Sequence, residues 1–179
     1  MRVLHAARIL KSGGLLAHQT GTIAGVAALP GNSEAIRRLQ SFKQRPGPFL
    51  LLADSIATAL SLCRYLSPAL RKLASEVWPG PVTLLFQARP GMPGVCYRKG
   101  LLAVRIDASS QSRMLAKACG GLLLSSSLNC KGGETASPSR HLRMRWHRHI
   151  HGYLAGDAGV GQASKLLLFR SGKMRWIRK

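Results

Sequence analysis

Acidic residues are almost missing from this 179-residue chain: Glu34, Asp54, Glu76, Asp107, Glu134 and Asp157 are all it has. No two adjoin, so a glycosidase-type acid/base pair, an EF-hand or a carboxylate cluster for two metals would need assembly from scattered positions, and none is expected. Cysteine gives as little. Cys63, Cys96, Cys119 and Cys130 form no Cys-x-x-Cys pair, which leaves no zinc knuckle or redox couple and points to reduced structural thiols, with no metal site expected. Long apolar runs are also lacking: Gly121-Leu122-Leu123-Leu124 is far too short to span a bilayer. Basic residues interrupt Met1 to Arg8, which has neither the apolar core nor the cleavage site of a secretory signal. A cytoplasmic protein without a membrane partner is expected, and the length suits one domain over residues 1–179.

What the chain has in excess is positive charge, a formal +21. Such a balance calls for a polyanionic partner, RNA or a nucleotide, the plainer alternative being charge that serves solubility. The densest run is Arg140 to His151, a basic stretch with four histidines and Trp146. It reads as the least core-like surface. Arg140, Arg143, Arg145 and Arg148 would contact RNA phosphates and Trp146 would stack on a base. The histidines could instead bind a transition metal, but no second ligand segment accompanies them.

Helix and strand signals alternate along the chain. Val3 to Lys11 reads as an amphipathic helix that Ser12-Gly13-Gly14 ends, with a strand from about Leu15. Asn32 or Ser33 caps a helix with Ile36, Leu39 and Phe42 inward and Arg37, Arg38 and Gln40 outward. Phe49 to Ala53 is a buried strand, followed by a helix capped at Asp54 or Ser55. Ser67-Pro68 starts a helix carrying Leu70, Leu73, Ala74 and Val77, which Trp78-Pro79-Gly80-Pro81 stops. Strands follow at Val82 to Phe86 and Leu101 to Ile106. Ser109 or Ser110 caps a helix expected to bury Met114, Leu115, Ala118 and Cys119, and Leu122 to Leu124 returns to the sheet. Lys165 to Phe169 and Met174 to Ile177 close the chain as a hairpin. The class is α/β (α+β), helices covering a sheet.

Lys43 and Arg45 lie two apart before Pro46, in a segment read as extended, so both could point into one pocket and hold phosphates; a solvated pair at a helix end is the alternative. Ser125, Ser127 and Asn129 share parity and would present two hydroxyls and an amide on one face, unless they are an ordinary turn. Arg105, in an apolar strand, needs an anion: a substrate carboxylate or Asp107.

Five segments in order resemble the YrdC-like family of threonylcarbamoyl-adenylate synthases: Gly13-Gly14-Leu15-Leu16-Ala17 with Thr20, Thr22 and Gly25; Lys43-Gln44-Arg45-Pro46; Trp78-Pro79-Gly80-Pro81-Val82-Thr83, the most specific; Leu102-Ala103-Val104-Arg105; and Ser125-Ser126-Ser127-Leu128-Asn129. The resemblance implies a single-domain twisted, open mixed sheet flanked by helices, with a basic concave face. It implies a nucleotidyltransferase that makes L-threonylcarbamoyladenylate and pyrophosphate from L-threonine, bicarbonate and ATP, with Mg²⁺ on the nucleotide. Threonylcarbamoyl-transferase proteins would then act on tRNA; tRNA or double-stranded RNA is the expected nucleic-acid partner. By resemblance, Lys43 and Arg45 are catalytic and bind ATP with Ser127, Asn129 and Thr135, while Thr20, Thr22, Arg105, Ser125 and Ser164 surround threonine. The chain departs from the family in its first turn. His18-Gln19-Thr20-Gly21-Thr22-Ile23-Ala24-Gly25 lacks the usual proline, acid and aromatic, and Lys131 replaces a serine. The alternative is therefore a catalytically weakened YrdC-like protein that binds RNA.

Overall fold

The computed structural model describes residues 1–129, 146–157 and 159–179. Its elements in chain order are α1 (Val3–Lys11), β1 (Leu16–His18), β2 (Gly25–Ala28), α2 (Ser33–Lys43), β3 (Leu50–Ala53), α3 (Ile56–Ser61), α4 (Pro68–Val77), β4 (Val82–Gln87), β5 (Tyr97–Arg98), β6 (Leu101–Arg105), α5 (Ser110–Ala118), β7 (Leu122–Ser127), β8 (Gly152–Leu154), β9 (Lys165–Arg170) and β10 (Lys173–Arg178). Helix starts follow local chemistry. The side chains of Asn32, Ser55, Ser67 and Ser109 each accept an amide proton from the first turn of the helix they precede, satisfying donors that have no partner within the helix.

The described strands form one mixed sheet in the order β10-β9-β4-β6-β3-β7-β2-β1-β8, with β5 pairing on β6. Pairs β1/β8, β3/β6 and β4/β9 are parallel and the others antiparallel. Helices cover both faces, because alternate residues leave a strand in opposite directions. Leu51, Leu124, Val26 and Ala17 join the core with Leu39 and Phe42 of α2 and Leu70 and Leu73 of α4. Their neighbours Leu52, Leu123, Ala27 and Leu16 join a second core with Leu10 of α1 and Leu115 of α5. This is the α/β sheet with flanking helices that the sequence implied. Among the described residues no helix is long and apolar enough to cross a membrane.

The Trp78-Pro79-Gly80-Pro81 segment is a structural corner. Trp78 is buried, its indole N–H donates to the Val82 carbonyl at 2.8 Å, and the Gly80 amide donates to the Ile106 carbonyl at 2.9 Å, tying the end of α4 to β4 and the end of β6. Cys63, Cys96 and Cys119 are free and buried; burial pushes the Cys63 thiol up to about 11 and the Cys96 thiol to about 12, so neither is a thiolate at neutral pH.

Two expectations need correction. On α5 the buried residues are Ser112, Leu115 and Ala116, while Met114 is half exposed; the inward stripe runs through 112, 115, 116 and 119, and Met114 falls about 100° away from it. The basic stretch is also not uniformly surface. Trp146 and Ile150 belong to the core, and the Trp146 ring meets Phe42 edge-on at 5.2 Å and 85°. Trp146 is therefore occupied by packing and is not a platform for a base, while Arg140, Arg143 and Arg145 lie outside the described residues. Replacing Trp146 with alanine should cost roughly 3–5 kcal/mol of stability, read as a lower denaturant midpoint. A variant with unchanged stability but weaker RNA binding would contradict this placement.

Candidate active site

The face shared by α1 and α5 is not covered along its whole length, and its chemistry changes where the helices stop. On β7, Leu123 lies under the helices, whereas Ser125 and Ser127, two and four residues on, line an open cavity of about 340 Å³. Leu101, Ala103 and Arg105 of β6, Leu50 of β3 and Leu166 of β9 complete the floor, and Thr20, Thr22 and Ser164 stand at its edge. Four arginines line it: Arg45, Arg98, Arg105 and Arg178. Among the described residues it has no carboxylate in its lining.

Asp107 organises one end. Its Oδ2 pairs with Arg105 Nη2 at 2.6 Å, both side chains being almost fully buried. Its Oδ1 accepts the Gly21 amide at 2.7 Å and the Ser109 amide at 2.8 Å, so one carboxylate joins β6, the 20–22 turn and the start of α5. Of the two anions considered for Arg105, the protein supplies its own. Arg105 Nη1 also donates to Thr22 Oγ1 at 2.5 Å, while its Nε is buried without a partner among the described residues. Thr20 Oγ1 donates to the Ile23 carbonyl at 2.7 Å and accepts the Thr22 amide at 3.1 Å. From the far side the loop at 159–161 holds this turn, its Val160 and Gly161 amides donating to the Gly21 and Thr22 carbonyls. Approach is so close that a Cβ on Gly159 would lie 2.4 Å from the Thr20 and Thr22 carbonyl oxygens, which only glycine permits.

The other end is built on α2. Gln44 takes the left-handed conformation, φ 49°, as the C-cap, so Lys43 and Arg45 do not project together from an extended segment as expected. Lys43 is the last helical residue and is buried. Among the described residues its ammonium donates to the Ser127 carbonyl at 2.8 Å, to Asn129 Oδ1 at 2.6 Å and to the Asn129 carbonyl. Ser127 Oγ donates to the same Asn129 Oδ1 at 2.7 Å. Lys43 and Asn129 thus brace the loop from behind, and neither lines the cavity. Arg45 does line it: its guanidinium lies 4.5 Å over the Phe49 ring, donates to the Pro48 carbonyl at 2.7 Å and reaches Ser126 Oγ at 3.3 Å. Thr135 lies outside the described residues, and Arg148 is exposed and shares no cavity with these groups.

Ser164 is buried, its hydroxyl 2.9 Å from that of Thr83, and its carbonyl accepts from Arg178 Nε at 3.0 Å. Sequence reading overlooked Arg178, Arg98 and Ser126. Arg178 ends an edge strand whose register shifts at Trp176/Arg178, and that irregularity hid which way it points. His18 was noted only as part of the turn. It shares a cross-strand row with Gly25 and Ser127, and its Nε2 and Ser125 Oγ both fall within 3.2 Å of where a Gly25 Cβ would stand. Both ring nitrogens are buried, and among the described residues no side chain donates to or accepts from them. Burial, with Asp107 opposing and Arg105 assisting, drops its pKa from 6.5 to about 4, so the ring is neutral at pH 7.

A family model for Sua5, YciO and YrdC proteins, described as "Telomere recombination", matches residues 8–179. The chain belongs to this family. Curated relatives include a threonylcarbamoyl-AMP synthase of Halorhodospira halophila, 33% identical over 165 residues that cover 88% of this chain and 84% of the relative. Another, of Methylococcus capsulatus, is 34% identical over 170 residues covering 88% and 87%. Among solved structures, P. abyssi Sua5 complexed with L-threonine superposes with a TM-score of 0.88 at 23% identity, over 98% of this chain and 53% of that protein. E. coli YciO gives 0.87 at 18%, over 99% and 88%. At these identities the two structures speak for the fold.

Because the unfolded chain binds a proton on His18 below its ordinary pKa of 6.5 and the folded chain resists it until about 4, stability carried by the neutral ring is present above pH 6.5 and lost as pH falls through that window. The loss should reach about 3 kcal/mol. His18→Phe should flatten the pH dependence of the melting temperature between pH 6.5 and 4 relative to wild type. Parallel curves for the two proteins would contradict the buried neutral ring.

Proposed function

We propose that this protein is a threonylcarbamoyl-AMP synthase, a nucleotidyltransferase that converts L-threonine, bicarbonate and ATP to L-threonylcarbamoyladenylate and pyrophosphate for modification of tRNA. The observation that carries the reading is the cavity itself, in which four arginines and no lining carboxylate among the described residues adjoin a row of hydroxyls. Family membership and the names of the curated relatives support it.

In this reading the amine of threonine captures carbon dioxide from bicarbonate, giving a carbamate. A carbamate oxygen then bonds to the α-phosphorus of ATP as the bond from that phosphorus to the bridging oxygen breaks, and pyrophosphate leaves with the electron pair. No side-chain nucleophile is needed; the protein supplies position and countercharge. Arg45 holds the phosphates, Ser126 and Ser127 assist it, and Lys43 with Asn129 keeps that loop in place. Thr20, Thr22, Ser125 and Ser164 surround the amino acid. Arg105 holds the threonine end through Thr22, its charge largely balanced by Asp107. Among the described residues no group of three His, Cys, Asp or Glu side chains could hold a metal ion. Mg²⁺ in this reading arrives on the triphosphate. A cytoplasmic setting, tRNA and threonylcarbamoyl-transferase proteins complete the proposal.

A weakened homologue that only binds RNA is the second reading, favoured by the loss of the turn's acid and aromatic at Gly21 and Ala24. Incubation of the protein with ATP, L-threonine, bicarbonate and Mg²⁺ separates the two, since only the synthase releases threonine-dependent pyrophosphate. Arg45→Ala should lower that release at least about a hundredfold, on the order of 2–4 kcal/mol in the transition state, at an unchanged melting temperature. Ser127→Ala should do less, because a neutral hydroxyl makes the weaker bond. Wild-type turnover by folded Arg45→Ala would remove Arg45 from the site.

A further inference from the structure

A second polar cleft of about 350 Å³ lies on the outward side of α2 and shares no lining residue with the first. Arg37, Arg38 and Ser41 come from the helix, Arg148, His149 and His151 from the segment that docks on it through Trp146. Glu34, its one carboxylate among the described residues, is already engaged by both Arg37 and Arg38. Three guanidinium groups against one carboxylate leave the cleft cationic.

Donor geometry says more than charge. The Leu15 amide, which can only donate, lies 3.1 Å from His151 Nδ1, so Nδ1 accepts. Burial and then the Arg38 charge hold the ring's pKa below its ordinary value. In a neutral ring whose Nδ1 accepts, Nε2 carries the hydrogen. That nitrogen faces Arg38 Nη1 at 3.4 Å, and Arg38 is itself fixed by donation from Nη1 to the Gly13 carbonyl at 3.0 Å and from Nε to Glu34 at 3.1 Å. The Nε2–H and the Arg38 guanidinium thus face each other in the cleft as two donors. An oxyanion placed there would accept from both, with Arg148 and the Ser41 hydroxyl lining the same cleft.

We propose that this cleft is a phosphate-binding site distinct from the nucleotide cavity, and that the phosphate it takes belongs to an RNA backbone. A backbone is favoured over a small anion because the site is open, Arg37 being 67% exposed. It also sits on a chain of net charge +21, which draws in polyanions. The proposal rests on the RNA-binding part of the function above but not on its chemistry.

Binding of a fluorescent tRNA by the full chain, measured over a range of KCl concentrations, provides the test. The double variant Arg38→Gln, Arg148→Gln should lose about tenfold in affinity at low salt, and the slope of log K against log salt should fall by about two contacts' worth. Arg148→Gln alone, at an exposed position, should lose about half of that slope change. His151→Asn keeps an acceptor for the Leu15 amide but loses the Nε2–H, and should weaken binding a few-fold without lowering the melting temperature. Adenylate formation should be unaffected in all three. Should wild type bind tRNA and all three variants match it in affinity and slope, the site is wrong while RNA binding stands. Absence of wild-type binding at low salt would overturn both. Titration with inorganic phosphate, followed by the nitrogen resonances of His151, covers the remaining source: a phosphate-dependent shift together with unchanged tRNA affinity in the variants would mark a small-anion site and end the RNA assignment.

Discussion

The buried pair of Arg105 and Asp107 is the constraint on which the rest of the cavity depends. Neither charge could be taken from water alone, since an isolated ion in a protein interior costs several kcal/mol. Here the guanidinium meets Oδ2 and a threonine hydroxyl, while Oδ1 takes two backbone amides. Those contacts come from β6, the 20–22 turn and the start of α5. The pair therefore sets where the turn sits relative to the sheet, and hence where Thr20 and Thr22 stand in the cavity.

This arrangement bears on the unusual turn. Family members carry an acid where this chain has Gly21. A Cβ at Gly21 would come within 3.2 Å of Asp107 Oδ1 and 3.1 Å of the Ala108 Cβ. A carboxylate there would face that of Asp107, and two such groups in a buried space repel. The loss of the turn's acid and the presence of Asp107 fit each other: the carboxylate that orders the turn comes from the end of β6.

Much of the fold was legible because caps and periodicity are local signals. The four caps fell on residues whose side chains could accept, and the apolar stripes of α2 and α4 pointed inward as their spacing required. What could not be read locally was of two kinds. Strands β2 and β8 are short and buried throughout, so they show no alternation and are defined only by their neighbours. The other is the placement of side chains that packing decides: Lys43 is expected to project with Arg45 from an extended segment, yet it follows Leu39 by four residues and so lies on the inward stripe with Ala35 and Phe42. That spacing was the available signal. Trp146 and Ile150, also four apart, were masked by the charge around them. In the candidate site, Arg45, Arg105, Ser125 and Ser127 could be located from strand parity and motif order. Arg178 could not, because it depends on a pairing shift between two chain-terminal strands.

The division of the sheet into a covered and an open region also explains why so basic a protein can keep a stable core. On β7 the same face carries Leu123 and then Ser125 and Ser127. Along that strand the apolar residue lies under α1 and α5, and hydroxyls begin where the helices stop. The guanidinium groups of Arg45, Arg98 and Arg178 stand at the open region's edge, where water screens their mutual repulsion. Only Arg105 is deeply buried, and among the described residues it alone of the four pairs with a carboxylate. An anionic ligand entering the cavity would displace that water and take up the charge of the other three, so that cations held apart by solvent become a common countercharge for the ligand. Binding strength and folding stability are in this way assigned to different arginines.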